Sequence, residues 1–346
     1  MTSSNGEAVA DPPPARRGRN GKTAPTIYDI ARLADVNPST VSRALSQPGR
    51  INVKTEERIR AAAKQLNYRV NPIARALPTG RTLTLGLLVA DITNPMLFGI
   101  VRGAEHAAAQ NGYTLIIAES QESGEREAAA AERVLPSVDG LVLATTRLGD
   151  TQIQSLASRK PLVVINRDVE GVDSVLPDVS TGVNPAVNHL YDLGHRSIAF
   201  LAGPATSWIS RKRSEAIAEA AAGRGMDFVE IGPGTPTLDG GRAAFSQCLD
   251  VDATAIIAYN DLMAIGLLRE AGERGVIVPD QLSIVGFDDI FGADFTNPPL
   301  TTIRTPLADA GARAVRILLE RSTEADAGLL PTELIVREST GRAPRS

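Results

Sequence analysis

A small all-α head followed by a larger α/β body of two parallel-sheet lobes is the architecture this sequence predicts. Three observations predict it. Charge is segregated: residues 15–82 hold 14 Lys/Arg and 4 Asp/Glu, the rest of the chain 22 and 36, beneath a net charge of only -4. Residues 26–70 carry apolar side chains at helical spacing and no strand pattern. From residue 83, short continuous apolar runs alternate with Ala-rich helical stretches, the mark of strands covered by helices on both faces.

Residues 1–24 are rich in Pro, Gly, Ser and Arg and nearly devoid of large apolar side chains, so they read as a disordered basic arm. ARRGRNGK within them either adds phosphate attraction or is an inert tail. Thr26 can cap a first helix with Ile27, Ile30, Ala31 and Ala34 facing inward. After the turn Ala34-Asp35-Val36, Asn37 suits an N-cap and Pro38 the first helical position, where its missing N–H costs nothing. The second helix carries Ser39, Thr40, Val41, Ser42, Arg43 and Leu45, with Val41 and Leu45 toward the core. Gln47-Pro48-Gly49 breaks it. A third helix is expected from Lys54-Thr55, capped by Thr55, with Ile59, Ala62, Ala63 and Leu66 inward. Residues 71–77 form a short helical candidate between Pro72 and Pro78, too short to be stable alone. In the body, TLTLGLLVAD, YTLIIAES, DGLVLAT, PLVVIN, SIAFLAG, AIIAYN and QLSIVGFDD read as strands, and 99–111, 124–135, 182–193, 211–224 and 260–274 as helices. No internal sequence repeat stands out.

Composition excludes several classes. The single cysteine, Cys248, permits no disulfide within the chain and suits a reducing compartment. No apolar run reaches the roughly 18–20 residues of a membrane span, and no secretory signal opens the chain, so a cytoplasmic protein is expected. An enzyme is not expected. G-x-G-x-x-G is absent after the first strand, as are a P-loop and a G-x-S-x-G elbow. His106, His189 and His195 lack metal-ligand spacing, so no metal and no cofactor are expected.

Residues 26–43, TIYDIARLADVNPSTVSR, form a helix-turn-helix that closely resembles the start of LacI/GalR family transcriptional regulators. The resemblance continues through Leu66-Asn67-Tyr68, Asn71-Pro72-Ile73-Ala74-Arg75-Ala76-Leu77, Ile92-Thr93-Asn94-Pro95, Leu193-Gly194-His195-Arg196, Asn260-Asp261, Gly286-Phe287-Asp288-Asp289 and Leu300-Thr301-Thr302-Ile303, covering about residues 26–340. It implies a head that reads DNA, a hinge helix, and a periplasmic-binding-protein-like body that senses a small molecule.

A recognition helix reads base edges in the major groove from its N-terminal residues. Here these are Pro38, Ser39, Thr40 and Ser42, with Asn37 at the start and Arg43 one turn on. Arg43 can grip guanine O6 and N7, worth about 1–3 kcal/mol of discrimination. Pro38 cannot donate a hydrogen bond, which shifts reading toward Ser39, Ser42 and Arg43 and departs from the longer polar side chain common in the family. The resemblance assigns phosphate contacts to Thr26, Tyr28, Asn52 and Thr55, although Tyr28 also suits half-buried core. It assigns to Leu77 the wedge that unstacks central base steps, supported by Asn71, Ala74 and Arg75.

In the body, ligands sit beyond the carboxyl ends of the strands. The effector-binding candidates are therefore Asp91, Asn94, Trp208, Arg213, Asn260 and Asp288, of which Arg213 matches an arginine that the resemblance assigns to effector binding. Carboxylate, guanidinium and amide together suit a polyol, pentose or nucleoside. Asn94-Pro95 also suits a plain turn, Asp288 or Asp289 a cap, and Trp208 either a lid or packing. His195 reads as structural. The expected organisation is an arm at 1–24, a DNA-binding domain at 25–70, hinge and linker at 71–82, and an effector-binding and dimerisation domain at 83–346. Lobe 1 of that domain takes about 83–177 and 303–332, lobe 2 about 178–302 and 333–346. The function expected is a repressor that binds a pseudopalindromic double-stranded operator as a homodimer, with affinity set by a small polar effector. No leucine-heptad tail follows Glu338-Ser339-Thr340, so a dimer is expected rather than a tetramer. An exported solute-binding protein is the alternative. It explains the body but not the head.

Overall fold

The computed structural model describes residues 25–46, 49–68, 80–321, 323 and 326–344. The chain forms two compact units that meet in sequence at Thr79–Gly80. The arm at 1–24 and the hinge residues Asn71, Ala74, Arg75 and Leu77 lie outside the described residues.

The first unit is built from α1 (Ile27–Leu33), α2 (Pro38–Ser46) and α3 (Val53–Gln65). The Asp29 carboxylate accepts both the Thr26 N–H and its hydroxyl at 2.8 Å, which fixes the start of α1. Those bonds, the backbone one first, hold the Asp29 carboxyl below its ordinary value. Pro38 opens α2, and the Asn37 carbonyl accepts from Thr40 and Val41. The cap of α3 differs from the expectation. Asn52 takes that place, its Oδ1 accepting from the Lys54 N–H at 3.0 Å, while Thr55 lies inside the first turn. Asparagine outranks threonine at this position, where its side-chain oxygen accepts from a free N–H of the first turn. Ile30, Ala31, Ala34, Val41, Ala44, Ile59 and Ala62 close a small core, with Leu45 and Leu66 packed against it.

The second unit begins with β1 (Thr84–Val89), α4 (Met96–Gln110), β2 (Thr114–Glu119), α5 (Gly124–Val134), β3 (Gly140–Ala144), α6 (Asp150–Ala157), β4 (Leu162–Ile165) and β5 (Asp173–Val175). These strands make an all-parallel sheet in the order β2-β1-β3-β4-β5. There follow β6 (Pro177–Asp178), α7 (Val179–Asp192), β7 (Ser197–Leu201), α8 (Trp208–Gly223), β8 (Asp227–Ile231), α9 (Leu238–Asp250), β9 (Ala255–Ala258), α10 (Asp261–Glu273), β10 (Ser283–Asp288), β11 (Thr301–Arg304), α11 (Leu307–Leu318), β12 (Leu330–Pro331) and β13 (Glu333–Ile335). The second sheet runs β13-β11-β10-β9-β7-β8, parallel except for β13 against β11. Its five parallel strands repeat the winding of the first sheet.

Between β5 and α7 the chain passes from the first sheet to the second. It returns after β11 to place α11 against α4, and passes back through β12 to β13. β6 and β12, on two of these passages, pair with each other. The return passage begins after Arg304, so β11 as a whole belongs to the second sheet; the expected switch at residue 303 cuts through that strand. Helices α4, α7 and α8 also begin earlier than their apolar spacing suggested, at Met96, Val179 and Trp208. The first turns of α7 and α8 carry Ser180, Thr181, Ser210 and Arg211, which dilute their apolar spacing.

The crossing of α4 and α11 is tight. A Cβ on Gly103 would lie 1.9 Å from the Ala308 carbonyl oxygen, and one on Gly311 2.1 Å from that of Ile100. Glycine at both places lets the helix backbones touch.

Candidate DNA-binding and effector sites

On the head, Ser39, Ser42 and Arg43 are exposed along α2, Thr40 and Pro38 are half-buried, and Asn37 is exposed at its start. The buried face of the same helix is Val41 and Ala44. One face therefore holds the helix in the domain and the other is free to meet base edges. Arg43 Nε donates to the Ser39 carbonyl at 3.3 Å, which leaves its outer nitrogens for a base. Tyr28 is 63% exposed, which removes its alternative as core. Thr26 and Asn52 are exposed and Thr55 half-buried.

In the body, a closed gap between the two lobes lies at the carboxyl ends of the strands. It is lined from lobe 1 by Asp91, Asn94, Glu122, Thr145, Arg147 and Asn166, and from lobe 2 by Arg213, Tyr259, Asn260 and Asp288, among others. Its free space is about 20 Å³, room for one water. Five of the six predicted effector residues line this gap. Trp208 does not. It stands at the first turn of α8 over a separate groove with Leu176, Pro177 and Leu329, and Lys212 lies over its ring at 5.7 Å. Nearness in sequence misled the reading, since five residues along α8 set Trp208 about 140° round the helix axis from Arg213.

Arg213 is fully buried. Its Nη2 donates to Asp288 Oδ1 at 2.7 Å and Nη1 donates to the Tyr259 carbonyl. The guanidinium lies 3.7 Å from the Phe287 ring centroid. Its Nε is buried and has no hydrogen-bond partner among the described residues. Asp288 also accepts from Thr305 Oγ1 at 3.3 Å, which ties the site to the return passage.

Three predicted residues are largely committed elsewhere. Asn94 Oδ1 accepts from the Met96 N–H at 3.0 Å, so the turn reading of Asn94-Pro95 applies. Asn260 caps α10 through the Met263 N–H at 2.9 Å and donates to the Pro236 carbonyl at 3.1 Å. Asp91 Oδ1 accepts the Thr93 N–H and hydroxyl at 2.8 and 2.6 Å.

Lobe 1 instead presents residues that sequence reasoning missed. Arg147 Nε and Nη2 both donate to Glu122 Oε2 at 2.7 Å, and Nη1 donates to the Thr145 carbonyl at 2.9 Å. Glu127 lies behind, accepting the Arg147 N–H at 2.7 Å; burial raises its carboxyl above the ordinary value. The signal that could have found Arg147 and Asn166 is positional: both follow apolar runs taken as strands.

Behind Asp288 sits Asp261, wholly buried. Its carboxyl meets the Thr302 hydroxyl at 2.6 Å and the Ile290 N–H at 2.7 Å. Burial, with Asp288 and Asp289 adding repulsion, pushes its pKa up to about 8. His195 is buried and meets Thr254 Oγ1, Ser283 Oγ and the Gly341 carbonyl, a structural knot. Among the described residues no group of His, Cys, Asp and Glu could hold a metal, and no helix is long and apolar enough to cross a membrane.

A DNA-reading helical head carried by a ligand-cleft body defines a class: transcription regulators that answer to small molecules. Residues 26–71 match the bacterial regulatory proteins of the lacI family, and residues 187–340 match a periplasmic binding protein-like domain. Over 340 residues the chain is 33% identical to the HTH-type transcriptional repressor CytR of Escherichia coli (strain K12), covering 95% of this chain and 100% of that one. It is 30% identical to catabolite control protein A of Priestia megaterium, across 91% of this chain and 99% of the relative. The lac repressor dimer bound to operator and the anti-inducer ONPF superposes with a TM-score of 0.81 at 28% identity, covering 92% of this chain and 100% of that chain. A LacI family regulator from Enterococcus faecium with bound ribose superposes at 0.65 with 30% identity, across 75% and 99%. The chain belongs to the lacI family. It is a DNA-binding transcription regulator and not an enzyme.

Proposed function

We propose that this protein is a repressor that binds a pseudopalindromic operator as a homodimer in the cytoplasm and releases or tightens its grip when a small polar effector enters the inter-lobe gap. The observation that carries the effector reading is Arg213, a buried cation lining that gap with one N–H left without a partner. Such a group costs free energy unless a ligand oxygen accepts from it. Ser39, Ser42 and Arg43 read bases, while Thr26, Tyr28, Asn52 and Thr55 hold phosphates. Leu77, with Asn71, Ala74 and Arg75, supplies the minor-groove wedge.

The homodimer has a physical support of its own. Phe98, Ile116 and Ile117 on lobe 1 and Phe291 and Phe295 on lobe 2 are exposed. The two phenyl rings of lobe 2 pack edge to face, 5.1 Å apart. An apolar hollow of about 350 Å³ beside them includes Pro95, Leu262 and Ile265. Exposed apolar patches of this kind mark association surfaces.

The first test is a thermal-shift screen of the full-length protein against sugars, polyols, nucleosides and purines, followed by operator binding with any hit. A ligand that binds the folded state raises Tm by mass action. Arg213→Ala is expected to abolish that shift while retaining DNA on a palindromic duplex. Loss of both in a folded variant refutes the assignment of Arg213.

A further inference from the structure

We propose a second ligand site, apart from the inter-lobe gap: the groove at Trp208 takes a small organic cation with an apolar body, an arylalkyl amine or quaternary ammonium, and its occupancy biases the angle between the lobes. The site stands on its own observations; its coupling to the gap rests on the effector reading above.

The groove offers about 310 Å³, within the size range of small-molecule pockets, about 300–1,000 Å³. Part of its lining comes from the passages between the sheets, with Leu176 and Pro177 at β6 and Leu329 just before β12. The rest includes one stripe of α8, on which Trp208, Lys212, Glu215 and Glu219 follow at helical spacing. Trp208 is half-buried, packed against the core while it lines the groove, and Leu329 is 53% exposed.

Charge selects the occupant. Among the described lining residues three carboxylates, Asp178, Glu215 and Glu219, stand with one cation, Lys212. Glu219 is exposed and meets no partner among the described residues. The Lys212 ammonium lies 5.7 Å from the Trp208 ring centroid and donates to Glu215 Oε2 at 2.8 Å. The indole face, which attracts cations through its quadrupole, therefore already carries an ammonium supplied by the chain itself. The Lys212 side chain is 46% exposed on a flexible stem, so it can swing into water and yield the ring. An incoming ammonium then meets the indole, Glu215 and Glu219, while its apolar part covers Leu176, Pro177 and Leu329. An anion of the same shape would stand among carboxylates whose one neighbouring cation is already paired.

The groove is lined by the joints on which the lobes turn. A sugar-sized effector cannot occupy the present 20 Å³ of the gap, so the lobes part to admit it. Asp178 is bound into these joints. Its carboxylate caps α7 through the Ser180 N–H at 3.1 Å, and its carbonyl accepts from Thr332 Oγ1, just beyond β12, at 2.7 Å. On α8, Lys212 and Arg213 are neighbours about 100° apart round the axis, so one helix serves both groove and gap. Turning the lobes reshapes the groove, and a ligand that fits one shape better shifts the equilibrium by its difference in affinity.

Trp208 is the single tryptophan of the chain, so its fluorescence reads the groove directly. The full-length protein is titrated with 2-phenylethylammonium and benzyltrimethylammonium, with 2-phenylethanol as the uncharged match and phenylacetate as the anion. At least one cation is expected to change the fluorescence saturably and to bind about tenfold tighter than 2-phenylethanol, with phenylacetate silent. Binding without preference for the cation, or no saturable binding of either cation, overturns the site. Calorimetry then follows folded variants. Glu219→Gln is expected to weaken the cation about threefold and to leave 2-phenylethanol unchanged. Trp208→Leu is expected to weaken it about tenfold. Lys212→Met is expected to tighten it, because the chain's own ammonium no longer competes for the ring. A cation that binds Trp208→Leu as well as wild type sits elsewhere and overturns the site, as does one that binds Lys212→Met more weakly. At saturating cation, affinity for a palindromic duplex is expected to change about fivefold, and the duplex to change the Kd of the cation by the same factor. An unmoved duplex affinity overturns the coupling and leaves the site. Failure of all four probes leaves the effector reading standing, because the sugar and nucleoside screen tests that reading at the gap.

Discussion

Arg213 leads the fully buried side chains by volume, a charged residue where a core holds Phe or Leu. Its burial is tolerable because Asp288, the Tyr259 carbonyl and the Phe287 ring surround it. Sequence reasoning reached Asp288 because it follows an apolar run, and Arg213 because it also matches an effector-binding arginine of the family. It could not tell that Asn94 and Asn260 serve the backbone, since capping and ligand binding ask for the same side chain. It missed Arg147 because its carboxylate, Glu122, comes from a different strand. Asp261 gives a prediction at this scale. Its folded pKa of about 8 lies above the ordinary aspartate value of about 3.9. A carboxyl with a raised folded value contributes fully at pH below the unfolded value, and that contribution is lost as pH rises toward the folded one. Wild type should therefore lose stability between about pH 4 and 8. Asp261→Asn should flatten that fall, as denaturant melts at intervals across the range would show. An unchanged slope would mean that another group titrates.

The elements themselves were largely legible. Continuous apolar runs located β1, β2, β3, β4, β7, β9 and β10. They failed at β8, where Asp227 and Glu230 break the apolar run, and at β11, whose buried Thr301 and Thr302 look polar. The Thr302 hydroxyl is matched by Asp261, and that of Thr301 by Arg337 and Thr340, so hydropathy hides a strand that packing accepts. The α9 and α11 helices went unassigned; glycines at Gly241 and Gly311 interrupt their apolar spacing where neighbouring backbones press close. In the head, the exchange of Thr55 for Asn52 as cap gives a second prediction. Asn52→Ala should lower the stability of α3 by about 1 kcal/mol, whereas Thr55→Ala should cost less. Chemical denaturation of the full-length protein, followed by head-specific amide exchange, reads the difference. Equal losses would return the cap to Thr55.

At the scale of the molecule, charge segregation and the alternation of helix and strand announced a basic reader on an acidic sensor. The duplicated winding of the two sheets was not legible, because equal topology here is carried by unequal sequences. The exposed aromatic pair yields the prediction that belongs to this scale. Phe295→Glu should convert a dimer to a monomer in sedimentation or light scattering and weaken palindromic operator binding far more than half-site binding. A variant that stays dimeric would place the two-fold contact on another face. The passages between sheets have one more consequence. β13 and the strand-end bond from the Ile284 N–H to the Ser339 carbonyl, at 2.8 Å, complete the second sheet with residues from the end of the chain. α11, which covers the first sheet beside α4, is also made late. During synthesis neither lobe can finish while the ribosome still holds the last forty or so residues. The three helices of the head, by contrast, are complete within the first seventy residues, so a nascent chain presents its recognition helix before either lobe of the sensor can close.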